Sequence, residues 1–250
     1  MIQLTIIKIT GYGPWTLTLG SDREHKLQML QSSLYKEVQN LFSEKNCLAF
    51  PNRFDEIFVV TNGLTVQDHV EIQKKLTENF ELDLTITIGQ GATSFEANSN
   101  ADKARRSKLV LDKDHNIFGL PLQKDGNDVK IIHMDVDGSV SISSTKSPYE
   151  VSSLIIKLYS DMSEFFLSKN ALAFFMGGDN FMIVSSTIDK NAIAQFLESV
   201  KKSHGISINC GIGSAKTARE AAKLATKSLD KIRELRHSGK NEERILELSC

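Results

Sequence analysis

The sequence holds three cysteines, Cys47, Cys210 and Cys250. Their number is odd and their spacing is not that of a zinc site, which excludes a disulfide framework and describes reduced thiols of a cytoplasmic protein. No apolar run approaches the roughly 18 residues of a membrane span, and the basic-then-apolar order of a secretion signal is missing, so no membrane partner is expected. Charge of one sign is also lacking. The 30 basic residues are matched by 31 acidic ones, net −1, so no global field draws the chain toward nucleic acid or an anionic membrane. There is no complete Walker or dinucleotide glycine signature, and no Ser–His–Asp or Cys–His spacing for nucleophilic catalysis. What is present is globular composition: 40% hydrophobic and 24% charged residues over 250 positions, enough for one large core or for two domains of roughly 125 residues.

The pattern is written twice. Residues 2–9 read as a strand, and Leu27, Leu30, Leu34, Val38 and Leu41 mark a helix. Two short strands, 47–50 and 57–60, flank a polar break at 52–56 and predict a hairpin. Val66, Val70, Gln73, Leu76 and Phe80 mark a second helix before a strand at 84–88. The order returns after residue 128. A strand at 129–136 precedes a helix carrying Val151, Leu154, Ile155, Leu158, Met162 and Phe165. Strands 171–176 and 181–184 surround Gly177-Gly178-Asp179-Asn180, a helix carries Ile193, Phe196, Leu197 and Val200, and a strand follows at 206–212. A final amphipathic helix spans about 217–235. Aligning the first strands sets Lys8 against Asp135, an offset of 127, and aligning the hairpins sets Asp55 against Asp179, an offset of 124. Two independent anchors whose offsets differ by only three residues indicate an internal duplication. Each half reads strand–helix–hairpin–helix–strand, so the expected class is α+β, two duplicated ferredoxin-like domains packed together so that each covers the other's outer sheet face. The domains are expected at 1–111 and 129–250, with the charged, Gly- and Pro-containing stretch 112–128 as connector.

Chemistry concentrates in the second half. In a strand, residues two apart share a face, so His133, Asp135 and Asp137 point together. The hairpin at Gly177-Gly178-Asp179-Asn180 belongs to strands neighbouring the first, and its glycines leave backbone open to a ligand. Asp179 is then expected near Asp135, between apolar residues where unneeded acids are costly. Hard divalent ions, Mg²⁺ above all, explain such a pair because they take oxygen ligands and bridge phosphates. A second phosphate candidate is the turn expected at 210–214 before the last helix, with Lys216 adding charge. Arg219, Lys223, Lys227 and Lys231 recur every four residues as a solvated face, and Arg233 falls off that stripe and turns inward. In the first half, Lys8 and Thr10 stand where Asp135 and Asp137 stand, so only the second half is expected to hold Mg²⁺. Tyr12-Gly13-Pro14-Trp15, with the chain's one tryptophan, has two readings: an aromatic face for a purine, or a rigid packed turn.

These residues resemble a known family. The Asp135-Val136-Asp137 strand end, the Gly177–Asn180 hairpin and Gly211-Ile212-Gly213 look like the palm domain of GGDEF-type cyclases and DNA polymerases. More closely, the opening through Tyr12-Gly13-Pro14-Trp15, the Arg53-Phe54-Asp55 hairpin before Thr61-Asn62-Gly63, the His133-Met134-Asp135 strand and Phe175–Met182 are together similar to archaeal GTP cyclohydrolase III, also called IIa. The resemblance implies two palm-like domains and a Mg²⁺-requiring hydrolase, assisted by a monovalent cation such as K⁺. Such an enzyme opens the imidazole ring of GTP, keeps the formyl group and releases phosphate, feeding riboflavin and deazaflavin synthesis. It implies Asp135 and Asp179 as catalytic metal ligands with the Val136 carbonyl beside them. It also implies substrate contacts at Tyr12, Trp15, Arg53, Asp55, Gly177, Gly178, Asn180, Lys216 and Arg233. GTP is the expected partner, and self-assembly into a homo-oligomer is expected. Thr10-Gly11 and Glu56 depart from the family pattern, which keeps a non-catalytic GTP-binding regulator or a nucleotidyl-cyclase-like enzyme as the alternatives.

Overall fold

A computed structural model describes residues 1–123, 128–138, 144–239 and 243–249. In the first unit, Met1–Ala92 with Glu96–Asn127, β-branched and apolar residues form β1 (Ile2–Ile9). A short helix α1 (Tyr12–Leu17) and the long α2 (Glu24–Ser43) follow, then the hairpin β2 (Leu48–Arg53) and β3 (Glu56–Val60). Helix α3 (Val66–Asn79) starts at a capping box in which Thr65 and Asp68 satisfy each other's backbone N–H groups. Strand β4 (Leu84–Gly91), helix α4 (Ser94–Arg106) and two short strands, β5 (Val110–Asp112) and β6 (Ile117–Gly119), complete it.

The second unit, Thr93–Phe95 with Asp128–Cys250, repeats the plan. It contains β7 (Val129–Val136), α5 (Pro148–Ser168), β8 (Leu172–Gly177), β9 (Asn180–Ser185), α6 (Lys190–His204), β10 (Ile208–Ala215), α7 (Ala218–His237) and β11 (Ile245–Ser249). Helix α5 opens on a Ser147–Glu150 capping box with Pro148 in its first turn, and Gly205 closes α6 in the left-handed region at φ 68°.

The sheets have one topology. The first runs β2-β3-β1-β4-β6-β5 and the second β8-β9-β7-β10-β11. Lys8 pairs with Glu56 and Thr85, while Asp135 pairs with Asn180 and Asn209. The ladder registers therefore carry the offsets read from the sequence. In both hairpins the register shifts at the same place, before Arg53↔Glu56 and before Gly177↔Asn180. The class is α+β, a duplicated ferredoxin-like fold.

One face of each sheet carries the main core. In the second unit Ile132, Met134 and Val136 pack with Ile155, Leu158, Met162 and Phe166 of α5 and Ile193 and Phe196 of α6. The opposite face receives α7. Gly211 and Gly213 admit it: a Cβ on either would stand 2.0 Å from the carbonyl oxygen of Ala225 or Ala221. Gly89 does the same for α4, where a Cβ would stand 2.1 Å from the Ala97 carbonyl oxygen.

Several expectations are corrected. The connector expected at 112–128 supplies β6 to the first sheet, and residues to 127 belong to the first unit. Helix α4 and strands β5, β6 and β11 were not expected. The outer faces, expected to need the other half as cover, receive the helices α4 and α7 of their own halves. Residues 210–214 lie inside β10 rather than in a turn, and their glycines serve helix packing. Tyr12–Trp15 begins a helix instead of a turn. The polar break is only Phe54-Asp55, because β2 runs on to Arg53 and β3 starts at Glu56.

Candidate functional site

Strand β7 delivers His133 and Asp135 to the face that α7 covers, and Asp137 follows just past the strand end. Asp135 is 7% exposed. Its Oδ2 accepts from Arg233 of α7 at 2.8 Å, so Arg233 does turn inward. Burial pushes the Asp135 carboxyl above the usual range, Arg233 pulls it back, and the negative charge of Asp179 pushes it up again. The Asp179 carboxylate, in the turn before β9, thus lies within electrostatic reach of Asp135 at the end of β7.

Asp179 sits at the tip of the β8–β9 hairpin. Gly177 and Gly178 take φ 101° and 61°, conformations that L side chains avoid, and this sharp turn brings the Asp179 backbone against Val136, next to Asp135 in the chain. A chain of hydrogen bonds then orients Asp179. Thr226 of α7 meets His133 Nδ1 at 3.0 Å, His133 Nε2 meets Asn180 Oδ1 at 3.1 Å, and Asn180 Nδ2 donates to Asp179 Oδ1 at 3.0 Å. Since Asn180 Oδ1 can only accept, Nε2 carries the proton and Nδ1 accepts from the Thr226 hydroxyl. Burial lowers the His133 pKa, which favours that neutral tautomer. His133 is thus a hydrogen-bonded strand residue that reaches the candidate site.

The donor chemistry suits a hard cation that also binds phosphate. Asp135, whose Oδ2 pairs with Arg233, supplies one carboxylate and Asp179 a second. No cluster of three or more His, Cys, Asp or Glu residues that could hold a metal occurs among the described residues. A bound magnesium ion would therefore draw its remaining ligands from backbone, water and substrate, a common arrangement for Mg²⁺. The Val136 N–H donates to the Asp179 carbonyl at 3.4 Å, fixing the backbone between them. Beside the hairpin, a cavity of about 550 Å³ is lined by Val151, Ser152, Ile155, Ile156, Phe175, Gly178 and Asp179.

Asp137 has other company. Arg236 and Arg244 reach its Oδ2 at 2.7 and 3.0 Å. Burial would raise the Asp137 pKa, but the two guanidinium groups hold it below the ordinary carboxylate value. The sequence reading missed Arg236 and Arg244, and the four-residue stripe on α7 was the one signal that could have singled out Arg236 as off-register.

Other expected site residues lie elsewhere. Lys216 is corrected: β10 runs from Ile208 beside Val136 to Ala215 beside Val129. Lys216 therefore follows the opposite strand end, about 23 Å from Asn209 at ~3.3 Å per residue, where it pairs with Asp128 at 2.8 Å. Tyr12, Trp15, Arg53 and Asp55 stand in the first unit. The Tyr12 hydroxyl accepts from Gln31 at 2.6 Å, and Trp15 lines a cavity of about 420 Å³ with Phe80, Thr10 and Asp83. Arg53 pairs with Asp55 at 2.9 Å, and Lys8 pairs with Glu56 at 3.5 Å. That hairpin is closed by its own ion pairs.

Comparison with known proteins agrees over the whole chain. The sequence profile of the family described as GTP cyclohydrolase III matches residues 1–245. GTP cyclohydrolase III of Methanothermobacter thermautotrophicus is 31% identical over 236 residues, covering 93% of this chain and 95% of that protein. The same-named protein of Methanocaldococcus jannaschii is 33% identical over 243 residues, covering 93% and 88%. Among solved structures, the GGEEF domain of a diguanylate cyclase from Vibrio cholerae is similar over 50% of this chain and 82% of that one, at 14% identity and a TM-score of 0.38.

Proposed function

The chain belongs to the GTP cyclohydrolase III family, and we propose on that premise that it hydrolyses GTP in a Mg²⁺-dependent reaction. The imidazole ring of guanine opens with the formyl group retained and phosphate is released. The product is 2-amino-5-formylamino-6-(5-phosphoribosylamino)pyrimidin-4(3H)-one, an early precursor for riboflavin and deazaflavin. The observation that supports this reading beyond family membership is the register that sets Asp135 at the end of β7 opposite Asn180, directly after the two-glycine turn that carries Asp179.

Asp135 Oδ1, the Asp179 carboxylate and the Val136 carbonyl would hold Mg²⁺. The ion supplies Lewis acidity toward phosphoryl oxygens and lowers the pKa of bound water. The chain's own residues do the rest. Arg233 opposes the burial that raises the Asp135 pKa and so favours its charged form. The chain Thr226–His133–Asn180 fixes the rotamer of Asp179, so no reorientation is needed when substrate arrives. Gly177 and Gly178 let phosphate oxygens approach the backbone closely. Phe175, Val151, Ile155 and Ile156 offer the nucleoside an apolar wall in the adjoining cavity.

The experiment is incubation with GTP and Mg²⁺, following the absorbance change of ring opening together with phosphate release. Both signals, abolished by chelator, support the reading. Phosphate release alone reduces the protein to a nucleotidase. A second reading, a GTP-binding regulator, is favoured by one feature, the hold of Arg233 on Asp135. Tight binding with the nucleotide recovered unchanged would decide for it. A cyclase-like reaction needs two metal halves, and Lys8 removes one of them.

A further inference from the structure

We propose that Arg236 and Arg244 are the receptor for the terminal phosphate of a nucleotide bound at Asp135 and Asp179, and that Asp137 occupies them until the nucleotide arrives. The proposal rests on the reading of that acid pair as the metal and phosphate end of the site, and it gives Asp137 a role other than metal ligand.

Both guanidinium groups converge, through a single nitrogen each, on the same two acceptors. Arg236 Nη1 lies 2.7 Å from Asp137 Oδ2 and 3.1 Å from Asn209 Oδ1, and Arg244 Nη1 lies 3.0 and 3.2 Å from those atoms. One carboxylate and one neutral amide thus face two full positive charges. Arg233, the third arginine, is matched separately by Asp135 at 2.8 Å and Asp230 at 3.1 Å. Among the described residues, the Asp137 cluster therefore carries one surplus positive charge. Asn209 is 2% exposed and held in place by the β7–β10 ladder, so it fixes both arginines against a rigid post.

A cavity of about 250 Å³ opens on this cluster, lined by Asp137, Asn209, Arg233 and Arg236. A guanidinium has five N–H donors in a planar fork that matches two phosphate oxygens, and engagement through one nitrogen leaves most of that capacity. Asp137 lies two residues past Asp135, about 7 Å along the backbone at ~3.3 Å per residue, a span that a triphosphate tail covers. A phosphate carries more charge than the Asp137 carboxylate and takes the forks bidentately. Asp137 is then the competitor that keeps two like charges side by side in the empty protein.

The test is calorimetric titration of the full chain, in Mg²⁺, with tripolyphosphate and with GMP, which lacks the terminal phosphates. Arg236→Gln and Arg244→Gln each weaken tripolyphosphate at least tenfold while GMP changes less than twofold. Asp137→Asn tightens tripolyphosphate severalfold, because it removes the internal competitor. The double variant D137N/R244Q removes a charge together with its partner, keeps the cluster folded, and binds tripolyphosphate no better than wild type. Unchanged tripolyphosphate affinity in both arginine variants overturns the proposal, as does weaker binding in Asp137→Asn, the result a metal-ligand role demands. Failure of the underlying reading looks different: wild type then binds tripolyphosphate with this arginine dependence but does not bind GMP or turn over GTP.

Discussion

Replacing Gly211 by alanine tests the link from strand sequence to site geometry. The new Cβ would lie 2.0 Å from the Ala225 carbonyl oxygen and 2.7 Å from the Leu229 amide, both backbone atoms that no rotamer change can move. Carbon in ordinary contact starts at 3.4 Å, so α7 has to retreat by about 1.4 Å. Overpacking of this kind costs ~1–3 kcal/mol, and the rigid neighbours put this case near ~3 kcal/mol. For a unit of this size that lowers the melting temperature by roughly 10 °C. Arg233 is two helical turns beyond Ala225 and moves with the helix, so its 2.8 Å contact with Asp135 opens past hydrogen-bonding distance. Two measurements follow. Urea unfolding by circular dichroism reads the stability loss, and Mg²⁺-dependent GTP turnover at 25 °C, where the variant is still folded, reads the site. Expected are a loss of ~3 kcal/mol and a drop in turnover of at least tenfold. Gly89→Ala, with its Cβ 2.1 Å from the Ala97 carbonyl oxygen, should cost the first unit a similar amount. A loss below ~0.5 kcal/mol at Gly211, or full turnover despite the loss, would refute the reasoning.

Asp135→Asn and Asp179→Asn should each lower Mg²⁺-dependent GTP hydrolysis by ~100-fold or more, and raising Mg²⁺ should restore part of the rate; activity within twofold of wild type rejects the metal pair. His133→Phe breaks the chain that orients Asp179, and turnover at saturating Mg²⁺ should fall ~10–100-fold, whereas His133→Gln, which can still bond Asn180, should recover most of it. His69 is buried between Thr5 and the Thr65 carbonyl, at 2.8 and 2.7 Å, and burial lowers its pKa from 6.5 to about 4. The unfolded chain therefore binds the proton more readily: the first unit has full stability above pH 6.5 and loses it as the pH falls toward 4, by about 3 kcal/mol. Urea unfolding followed by Trp15 fluorescence, which reports the same unit, should show that slope in wild type and a flat profile in His69→Gln.

The duplication was legible because it rests on spacing, and the ladders repeat the spacing: Lys8↔Glu56 and Asp135↔Asn180 stand at the offsets that the sequence alone supplies. Helix α4 was not legible for a physical reason. Its buried side is Ala97, Ala101 and Ala104, small residues pressed against a glycine strand, so it lacks the stripe of large apolar side chains by which helices are recognised. The same close packing explains the misreading of Gly211 and Gly213. Two glycines at i and i+2 share one face of a strand, which is a signal for a helix lying close on that face, and taking them for a phosphate turn placed Lys216 at the wrong end of the sheet. Asp135 and Asp179 could be named from sequence because strand alternation and hairpin topology fix where they point. Arg244 could not, and the stripe on α7 marks Arg236 only as off-register, since their partner Asp137 is set by how α7 and β11 meet β7, a tertiary relation.

The two hairpins also explain why the acids are paired for a cation in one unit alone. Asp55 and Asp179 occupy equivalent turn positions, yet only the second turn has Gly-Gly before the acid, with φ 101° and 61°. The first has Arg53-Phe54, whose side chains disfavour those angles and which stand outside the positive-φ region, and Asp55 is taken by Arg53 at 2.9 Å. Lys8 then stands where a second carboxylate would have to be, bound to Glu56 at 3.5 Å. These features depend on one another. Lys8→Asp by itself would put a carboxylate against Glu56 with no cation between them and would destabilise the hairpin without creating a metal site. Divalent-ion binding in the first unit requires K8D and E56N together with R53G and F54G, so that both carboxylates and the turn that aims them return at once. Stabilisation of the first unit by Mn²⁺, read by Trp15 fluorescence, should appear in the fourfold variant and not in K8D alone; its appearance in K8D would mean that the turn geometry does not aim the acid.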